Sequence, residues 1–356
     1  MATVGGTKKK EPHPYVQYLM DQTWGYEKWQ REEDIPIVRG HAIEDVLELP
    51  LAGWPRMGGD GTFINLSDQS VDDGYVCRIA PGARLNPQKH LFEEVVYVLE
   101  GHGSTTLRQG EKEPVQFEWQ KGSLFAIPLN AEYQHFNVDG RKEALILACT
   151  SAPLMMDLFR NKDFIFNLPF AFTDRFSGEP RDMSGEGKFY GQYRGGLWET
   201  NFVPDIKRVE LQRVEERGKG LTHVFIALAG SLMKVHLAEF EVGTYKKAHR
   251  HGPGAHILII EGQGYSLMWP EGEEPMRYNW KPGSLISPPA GWYHQHFNTG
   301  DIPVFHLAFH RPQTVANEGP RDQIEYEDED PSIAHLFELE LGKNGLSSRM
   351  HGEDKR

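Results

Sequence analysis

Three histidines in the second half of the chain have the spacing of a metal site. His249 and His251 stand two residues apart, and His294 follows far along the chain after Pro289 and Gly291. Residues i and i+2 of a strand share one face, so the first two imidazoles can point into the same barrel, where another strand supplies the third. Three neutral nitrogens from two strands leave coordination positions open for water or substrate. We predict that these histidines bind one divalent metal.

Side chains near these ligands are candidates for contacts with a substrate. His296 shares the face of His294 and carries the side chain that titrates closest to neutral pH, which makes it our candidate catalytic residue. Its counterpart His135 in the first half of the chain leaves a purely structural role equally open. His256 is either an additional ligand or substrate contact, or a hydrogen-bonded structural histidine that faces away from Ala255. The aromatic residues that could stack on a substrate are Trp292, Tyr265 and Trp269.

An internal repeat organises the chain. A shift of 161 positions (82 to 243) superimposes the first half on the second without a gap. The matched pairs include Gly82 and Gly243, His90 and His251, Trp119 and Trp280, and His135 and His296. So many identities at one offset indicate two copies of one structural unit.

The first copy lacks most of the metal ligands. Gln88 and Tyr133 occupy the positions of two of the three histidines, while His90 and Glu94 remain. Loss of two imidazoles should weaken the binding of a divalent metal severely. We therefore predict a degenerate first site retained for packing, with a weaker mixed site of these four residues as the alternative.

Each copy is predicted to form a small β-barrel. Its short apolar runs end in glycine- or proline-rich turns, as strands of an antiparallel barrel or jelly roll do. The fold class is therefore all-β, with two tandem barrels and short helical N-terminal, connector and C-terminal segments. The expected boundaries are an N-terminal arm at 1–60, barrel 1 at 61–151, a connector at 152–220, barrel 2 at 221–312 and an acidic tail at 313–356.

The segments outside the barrels carry weaker signals. A short helix is expected near Glu27–Glu33, and a second one from Asp330-Pro331, an N-cap followed by an N1 proline, to near Gly342. The connector is rich in phenylalanine, and we predict that these side chains pack between the barrels rather than form a wall of the substrate site. They are Phe159, Phe164, Phe166, Phe170, Phe172 and Phe176.

The composition limits the kinds of binding partner that we expect. The net charge is −13 and no basic stripe occurs, so nucleic acid is not expected as a partner. No apolar run is long enough to span a bilayer and no secretory signal is evident, so a membrane is not expected either. Cys77 and Cys149 are expected to be buried reduced thiols, with a disulfide as the alternative. These features favour a cytoplasmic protein, and the extended arm suggests a homo-oligomer.

The two histidine motifs resemble the signatures of the cupin superfamily, G-x5-H-x-H-x3,4-E-x6-G and G-x5-P-x-G-x2-H-x3-N. The second copy matches both except at the glutamate, where Ala255 stands. A carboxylate-free site of this kind is similar to those of gentisate 1,2-dioxygenases, although their catalytic barrel is typically the N-terminal one. That resemblance implies His249, His251 and His294 as iron(II) ligands, and His296 as a hydrogen-bonding partner of substrate or oxygen.

The resemblance implies an oxidoreductase, a ring-cleaving dioxygenase that uses Fe(2+) and O2. Because a metal held by three histidines keeps its 2+ charge, an anionic, chelating substrate is expected, such as a hydroxylated aromatic acid of the gentisate or salicylate type. Zn(2+), Mn(2+) or Ni(2+) are alternative metals, which would suit an isomerase, hydrolase or decarboxylase. A non-catalytic bicupin that binds or stores a small molecule is a further alternative.

Overall fold

The chain folds into two β-barrels, as the internal repeat predicts. The computed structural model describes residues 13–14, 25–67, 71–192, 195–252, 254–311 and 322–350. Most of the regular structure in these ranges is β-strand, so the expected all-β fold class with two tandem barrels is confirmed.

The elements are numbered in chain order. The first half of the chain contains α1 (Gly25–Glu33), β1 (Ile37–Gly40), β2 (Ala42–Ile43), β3 (Ala52–Trp54), β4 (Gly59–Leu66), β5 (Asp73–Ile79), β6 (Glu94–Glu100), β7 (His102–Arg108), β8 (Val115–Gln120), β9 (Leu124–Ile127), β10 (Glu132–Asn137) and β11 (Ala144–Thr150). The connector contains α2 (Ala152–Phe159), α3 (Lys162–Asn167), β12 (Lys188–Tyr190), β13 (Leu197–Thr200), β14 (Phe202–Val203) and β15 (Gln212–Arg213). The remainder contains β16 (Leu221–Leu228), β17 (Lys234–Phe240), β18 (His249–Arg250), β19 (Ala255–Glu261), β20 (Gly264–Trp269), β21 (Met276–Trp280), β22 (Leu285–Ile286), β23 (Tyr293–Asn298), β24 (Val304–His310), β25 (Asp322–Gln323) and α4 (Pro331–Lys343).

Each barrel consists of a large and a small sheet. In barrel 1 the large sheet has the order β1-β4-β5-β11-β6-β9-β14, and the small sheet has the order β10-β7-β8. In barrel 2 the large sheet runs β12-β13-β16-β17-β24-β19-β22-β2, and the small sheet runs β21-β20-β23-β18-β25. The small sheet of barrel 2 contains β18 and β23, the two strands that contain His249 and His294.

The repeated E-G-x-G turns have the same physical basis in both barrels. Gly101 and Gly262 adopt φ angles of +87° and +85°, in the left-handed region where glycine is favoured. Two residues later, a Cβ on Gly103 or Gly264 would overlap a carbonyl oxygen of the paired strand and a tryptophan ring. Both glycines of the turn are therefore required by the backbone, which explains why the repeat preserves them.

The two barrels exchange short edge strands. Strand β2, from the N-terminal arm, pairs with β22 of barrel 2, and β14, from the connector, pairs with β9 of barrel 1. Each exchanged strand leads into a short 3₁₀ helix, whose N-cap is Asp45 in one case and Asp205 in the other. The duplicated unit is thus longer than the repeat visible in the sequence, and its two copies complete each other's sheets.

Hydrophobic cores inside the barrels and a cluster between them hold the described part of the molecule together. Barrel 1 and barrel 2 each enclose their own apolar core. Between them, the outer faces of the two large sheets bury a third cluster that includes Ile64, Val76, Val224 and Leu307. Burial of this apolar area from both barrels makes the pair one packed body rather than two domains on a linker.

The C-terminal segment packs on barrel 2. Helix α4 begins after Asp330, whose side chain accepts a hydrogen bond from the Ser332 amide. Its Phe337 and Leu341 are fully buried against Tyr245 and Phe297 of the small sheet. The tail predicted at 313–356 is therefore an integral cover of the barrel over residues 322–350.

The phenylalanines of the connector do not pack between the barrels as predicted. Phe176 is buried in the core of barrel 1, and Phe166 and Phe172 pack against that core. The other three, Phe159, Phe164 and Phe170, are 40%, 40% and 56% exposed. The space between the barrels is filled instead mainly by aliphatic residues of the two large sheets, together with Val203 and Ile206 from the later part of the connector.

The cysteines and the helices can be compared with the sequence-based expectations. Cys77 and Cys149 are both buried free thiols on adjacent strands. Among the helices within the described ranges, none combines the length and the apolar character needed to cross a bilayer.

Candidate metal site

The structure brings His249, His251 and His294 together in barrel 2. One ligand nitrogen from each side chain lies within 4.8 Å of the other two. Strand pairing places His249 directly opposite His294, with ring centroids 4.3 Å apart. The His251 ring lies 5.0 Å from that of His294. In the described part of the chain this is the one group of histidine, cysteine or acidic side chains whose geometry could hold a metal ion.

Backbone carbonyls orient two of these imidazoles. Nδ1 of His249 donates to the carbonyl of Lys247 over 2.9 Å, and Nδ1 of His294 donates to the carbonyl of Trp292 over 3.2 Å. A proton on Nδ1 leaves the lone pair on Nε2, the nitrogen that is free to ligate a metal. The amide of Gly291 donates to the carbonyl of His251, which ties the loop before His294 to the third ligand.

The electrostatic environment keeps two of the ligands, His249 and His294, neutral. Burial lowers the pKa of both His249 and His294 well below the usual value, and the neighbouring histidines lower the pKa further. An uncharged imidazole is the form that binds a metal. The donor set, the tautomers and the charge state therefore all fit a divalent transition metal.

The three histidines line a cavity of about 200 Å³ inside barrel 2. None of its lining side chains is a carboxylate, so Ala255 at the glutamate position is not compensated from elsewhere among the described residues. The polar lining instead consists of eight histidines and two cationic side chains, Lys246 and Arg217. Such a lining favours an anionic ligand.

His296 faces this cavity and is held by a hydrogen-bonded chain. Its Nδ1 lies 2.7 Å from Oγ of Ser266, and that oxygen accepts a hydrogen bond from Nε1 of Trp280. The Ser266 hydroxyl can donate to Nδ1 while it accepts from Trp280, and in that tautomer Nε2 carries the ring proton. Burial lowers the pKa of His296 well below its usual value, so the ring is neutral.

The same chain exists in barrel 1. His135 lies 2.6 Å from Oγ1 of Thr105, which accepts from Trp119. Because barrel 1 lacks the three-histidine group, the tryptophan–hydroxyl–histidine arrangement is a property of the repeated unit. What distinguishes His296 is its position beside His294, with the two ring centroids 5.7 Å apart.

The structure does not bring His256 to the three histidines. Its Nε2 lies 3.0 Å from a carboxylate oxygen of Asp72 in barrel 1, and Nε of Arg311 lies 2.7 Å from the other oxygen. All three side chains are almost completely buried between the barrels. His256 therefore faces away from Ala255, as strand alternation implies, and belongs to an ionic contact between the barrels.

The three aromatic candidates also lie outside the cavity lining. Tyr265 stacks on Phe297 at 4.5 Å on the opposite face of the small sheet, and Trp269 stacks on Tyr293 at 5.7 Å. Trp292 packs against the core of barrel 2 and lies 5.5 Å from the ring of His41. Strand alternation explains the first two positions, because in β20 only Ser266 and Met268 face inward.

The corresponding position in barrel 1 is occupied by a closed network. The hydroxyl of Tyr133 lies 3.0 Å from Nε2 of His90, which also approaches Glu94 at 3.2 Å. Gln88 turns away and donates to the carbonyl of Arg56. The cavity here has a volume of only about 20 Å³. Tyr133, which replaces His294, is therefore satisfied by His90 and Glu94, and Gln88, which replaces His249, is satisfied by the backbone.

Several cavity residues could not be identified from the repeat. His223, His236, His306 and His310 lie on strands whose sequences match no motif, and Lys246 and Arg217 lie outside regular strands. One local pattern could have indicated the histidines: in the strands KVHLAEF and VFHLAFH, histidines occur among the apolar residues of one face. Such positions are unusual for buried strands unless the barrel interior is polar.

Comparisons with known proteins agree with this architecture. The sequence profile of the family described as auxin binding protein matches residues 40–172. No curated protein sequence matches the chain.

Solved structures resemble the chain over most of its length. A Bacillus subtilis oxalate decarboxylase, in a study of its Mn(II) centres, is 16% identical with a TM-score of 0.53, covering 98% of this chain and 96% of that one. The formate complex of Lactobacillus farciminis oxalate decarboxylase is 13% identical with a TM-score of 0.51, over 77% and 86% of the chains. Vicilin from Corylus avellana (hazelnut) is 12% identical with a TM-score of 0.50, over 87% and 98%. These likenesses support the cupin-type, two-barrel fold.

Proposed function

We propose that this bicupin is a metal-dependent oxygenase that acts on a small anionic acid, with hydroxylated aromatic acids of the gentisate or salicylate type as the preferred class. The observation that carries the proposal is the group of His249, His251 and His294 in a cavity lined by cations and histidines but by no described carboxylate. A fold of this kind supports several activities, so we infer the function from the residues of the site and not from the barrels.

His249, His251 and His294 would hold the metal, for which we propose iron(II). Three neutral nitrogens leave its 2+ charge uncompensated and leave coordination positions open. When bound, the metal would supply Lewis acidity and a redox couple that serve a chelating acid and dioxygen together. The carbonyls of Lys247 and Trp292 keep two of the imidazoles in the tautomer that this role requires.

His296 is the proposed proton-handling residue. With Nδ1 engaged by Ser266, its Nε2–H can donate a hydrogen bond to an oxygen atom of a molecule in the cavity. The ring cannot rotate freely, because Trp280 fixes the hydroxyl that holds it. A positioned donor of this kind stabilises charge that develops on an oxygen during the reaction.

Oxygen consumption tests the proposal. Iron-loaded protein is expected to consume oxygen with gentisate, salicylate or a related hydroxylated acid, in proportion to the product formed. The control is the same protein loaded with zinc, which has no accessible redox change. Absence of uptake across the panel, with iron content close to one atom per chain, would contradict the oxygenase proposal.

A manganese-dependent decarboxylase is the second candidate. The oxalate decarboxylases that share the two-barrel fold include one studied for its Mn(II) centres. The cationic cavity would suit a short dicarboxylate such as oxalate as well as an aromatic acid. Carbon dioxide release from oxalate by the manganese-loaded protein, without net oxygen consumption, would favour this candidate over the oxygenase.

A non-catalytic binding role remains distinct from both. It predicts that replacement of His294 leaves ligand binding unchanged, whereas both enzymatic candidates require the metal. The same variant therefore separates a small-molecule carrier from an enzyme.

A further inference from the structure

The cavity of barrel 2 contains a lysine that the metal site does not explain. Lys246 is only 7% exposed, although lysine is among the residues least often buried. It lies in the segment before β18, where its amide donates to the carbonyl of His296. The backbone thus fixes the start of the side chain beside the cavity.

The ammonium of Lys246 has no carboxylate partner among the described residues. Nζ donates to Nε2 of His306 over 3.3 Å and lies 5.2 Å from the centre of the Phe240 ring. Both contacts involve uncharged groups. By contrast, the buried guanidinium of Arg311 is paired with the carboxylate of Asp72. Burial of an ammonium without a counter-charge is unfavourable for folding, so packing alone gives no reason for this lysine.

Its surroundings add positive charge rather than neutralise it. Arg217 lines the same cavity and lowers the pKa of Lys246 by electrostatic repulsion, in addition to the larger effect of burial. The rings that connect Lys246 with the ligands are His306 and His296, whose centroids lie 6.4 Å apart. A path of polar groups thus runs from the ammonium to His294, with no acidic residue on it.

We propose that Lys246 determines substrate specificity by binding a carboxylate of the substrate, while other oxygen atoms of the same molecule occupy the metal site. This inference rests on the proposed function of the cavity and defines the class of substrate further. The molecule is a small carboxylic acid with an additional oxygen function, either a phenolic hydroxyl or a second carboxylate. Arg217 supplies a second positive charge for the same anionic group.

Binding of matched acids and amides tests this assignment. Gentisate is compared with 2,5-dihydroxybenzamide, and malonate with malonamide, by isothermal titration of the full chain with and without zinc, which prevents turnover. The parent protein is expected to bind each acid about 10–100-fold more tightly than its amide, the range for one charged hydrogen bond. The variant Lys246→Met should lose this preference, and Lys246→Arg should restore part of it.

Two further measurements separate binding from folding. Lys281→Met, which removes an exposed ammonium of the same barrel, should retain the preference. The Tm of Lys246→Met should be no lower than that of the parent, because the variant removes a buried charge without a carboxylate partner among the described residues. A lower Tm with unchanged acid preference would assign Lys246 a structural role and overturn the proposal.

The expected preference for acids over amides does not depend on which reaction the metal supports. Because Lys246 is not a ligand, the preference for acids should persist in the metal-free chain, even if neither oxygen uptake nor carbon dioxide release is found. Equal binding of acids and amides by the parent, or no binding of either acid, would overturn the assignment whatever the reaction.

Discussion

His294 is the ligand whose loss should be most damaging at the scale of single residues. It faces His249 across two paired strands, so its loss removes one of the two ligands that the strand pairing places opposite each other. The variant His294→Ala is expected to lower metal affinity at least about 100-fold, beyond the 10–100-fold typical for partners that only orient a ligand. Metal content after dialysis, measured by mass spectrometry, checks this, with exposed His335→Ala as control. Full metal retention in His294→Ala would refute the ligand assignment.

The hydroxyl that holds His296 offers a matched pair of variants. Ser266→Ala and Thr105→Ala each remove a buried hydroxyl between a tryptophan and a histidine, one in each barrel. Both should lower the free energy of unfolding by about 1–3 kcal/mol. Only Ser266→Ala should also reduce kcat/KM, by about 10–100-fold, because a misoriented ring loses part of its contribution to proton transfer. Equal activity of the two variants would leave His296 a structural role alone.

Lys246 should make ligand binding depend on pH. Burial, followed by the effect of Arg217, lowers its pKa to about 7, so the free protein loses the ammonium charge as pH rises through 7. The facing histidines, His306 and His296, have pKa values well below the usual one and stay neutral there. Affinity for malonate should therefore be constant below pH 7 and fall by about tenfold per pH unit above it. Titrations between pH 6 and 9 check this, with a flat profile expected for Lys246→Met.

Sequence reasoning succeeded for residues whose direction follows from a motif or from strand alternation. It grouped His249, His251 and His294, and of the two roles that it left open for His256 the structure supports the one in which the ring faces away from Ala255. It failed for Tyr265, Trp269 and Trp292, which were chosen for closeness to the ligands along the chain rather than for the face they occupy. Lys246 and Arg217 were missed because they lie outside the β-strands, where alternation does not apply.

At the scale of elements, helix α4 supports the sheet that contains two of the ligands. Phe337 lies 5.0 Å from the ring of Tyr245 and 5.6 Å from that of Phe297 and is fully buried. Phe337→Ala should lower the free energy of unfolding by about 3–5 kcal/mol, the range for a large aromatic residue removed from a core. Denaturation in urea checks this. Leu339→Ala, on the exposed side of the same helix, should change it by less than about 0.5 kcal/mol.

The long strands and both end helices could be predicted, whereas the exchanged strands could not. Repeated glycine and proline turns separate the apolar runs clearly, and Asp330 with Pro331 marks the start of a helix. Strands β2 and β14 have only two residues each, so they carry no periodic signal. Their pairing depends on a partner far along the chain, which is information that local propensity does not contain.

At the scale of the whole molecule, one ionic cluster connects the barrels. Asp72 of barrel 1 lies within ion-pair distance of both His256 and Arg311 of barrel 2, in an almost fully buried position. Asp72→Asn should lower the free energy of unfolding by about 3–5 kcal/mol, because it removes the carboxylate that two buried basic groups share. The comparison is Asp60→Asn, which removes a half-exposed partner of Arg78 and should cost at most about 1 kcal/mol. Equal losses would argue against a special role of the cluster.

The exchange of β2 and β14 also imposes an order on folding during synthesis. Barrel 1 lacks its last edge strand until residue 203 has left the ribosome, well after its other strands. Strand β2 pairs with residues 285 and 286. At about 5–20 residues per second, the ribosome synthesises these residues some 10–50 s after β2 itself. Throughout that delay an unpaired strand of the nascent chain is exposed, and only the completed second barrel covers it. Barrel 1 can therefore complete its sheet before barrel 2 is translated, whereas the arm strand β2 stays unpaired until most of barrel 2 has been synthesised.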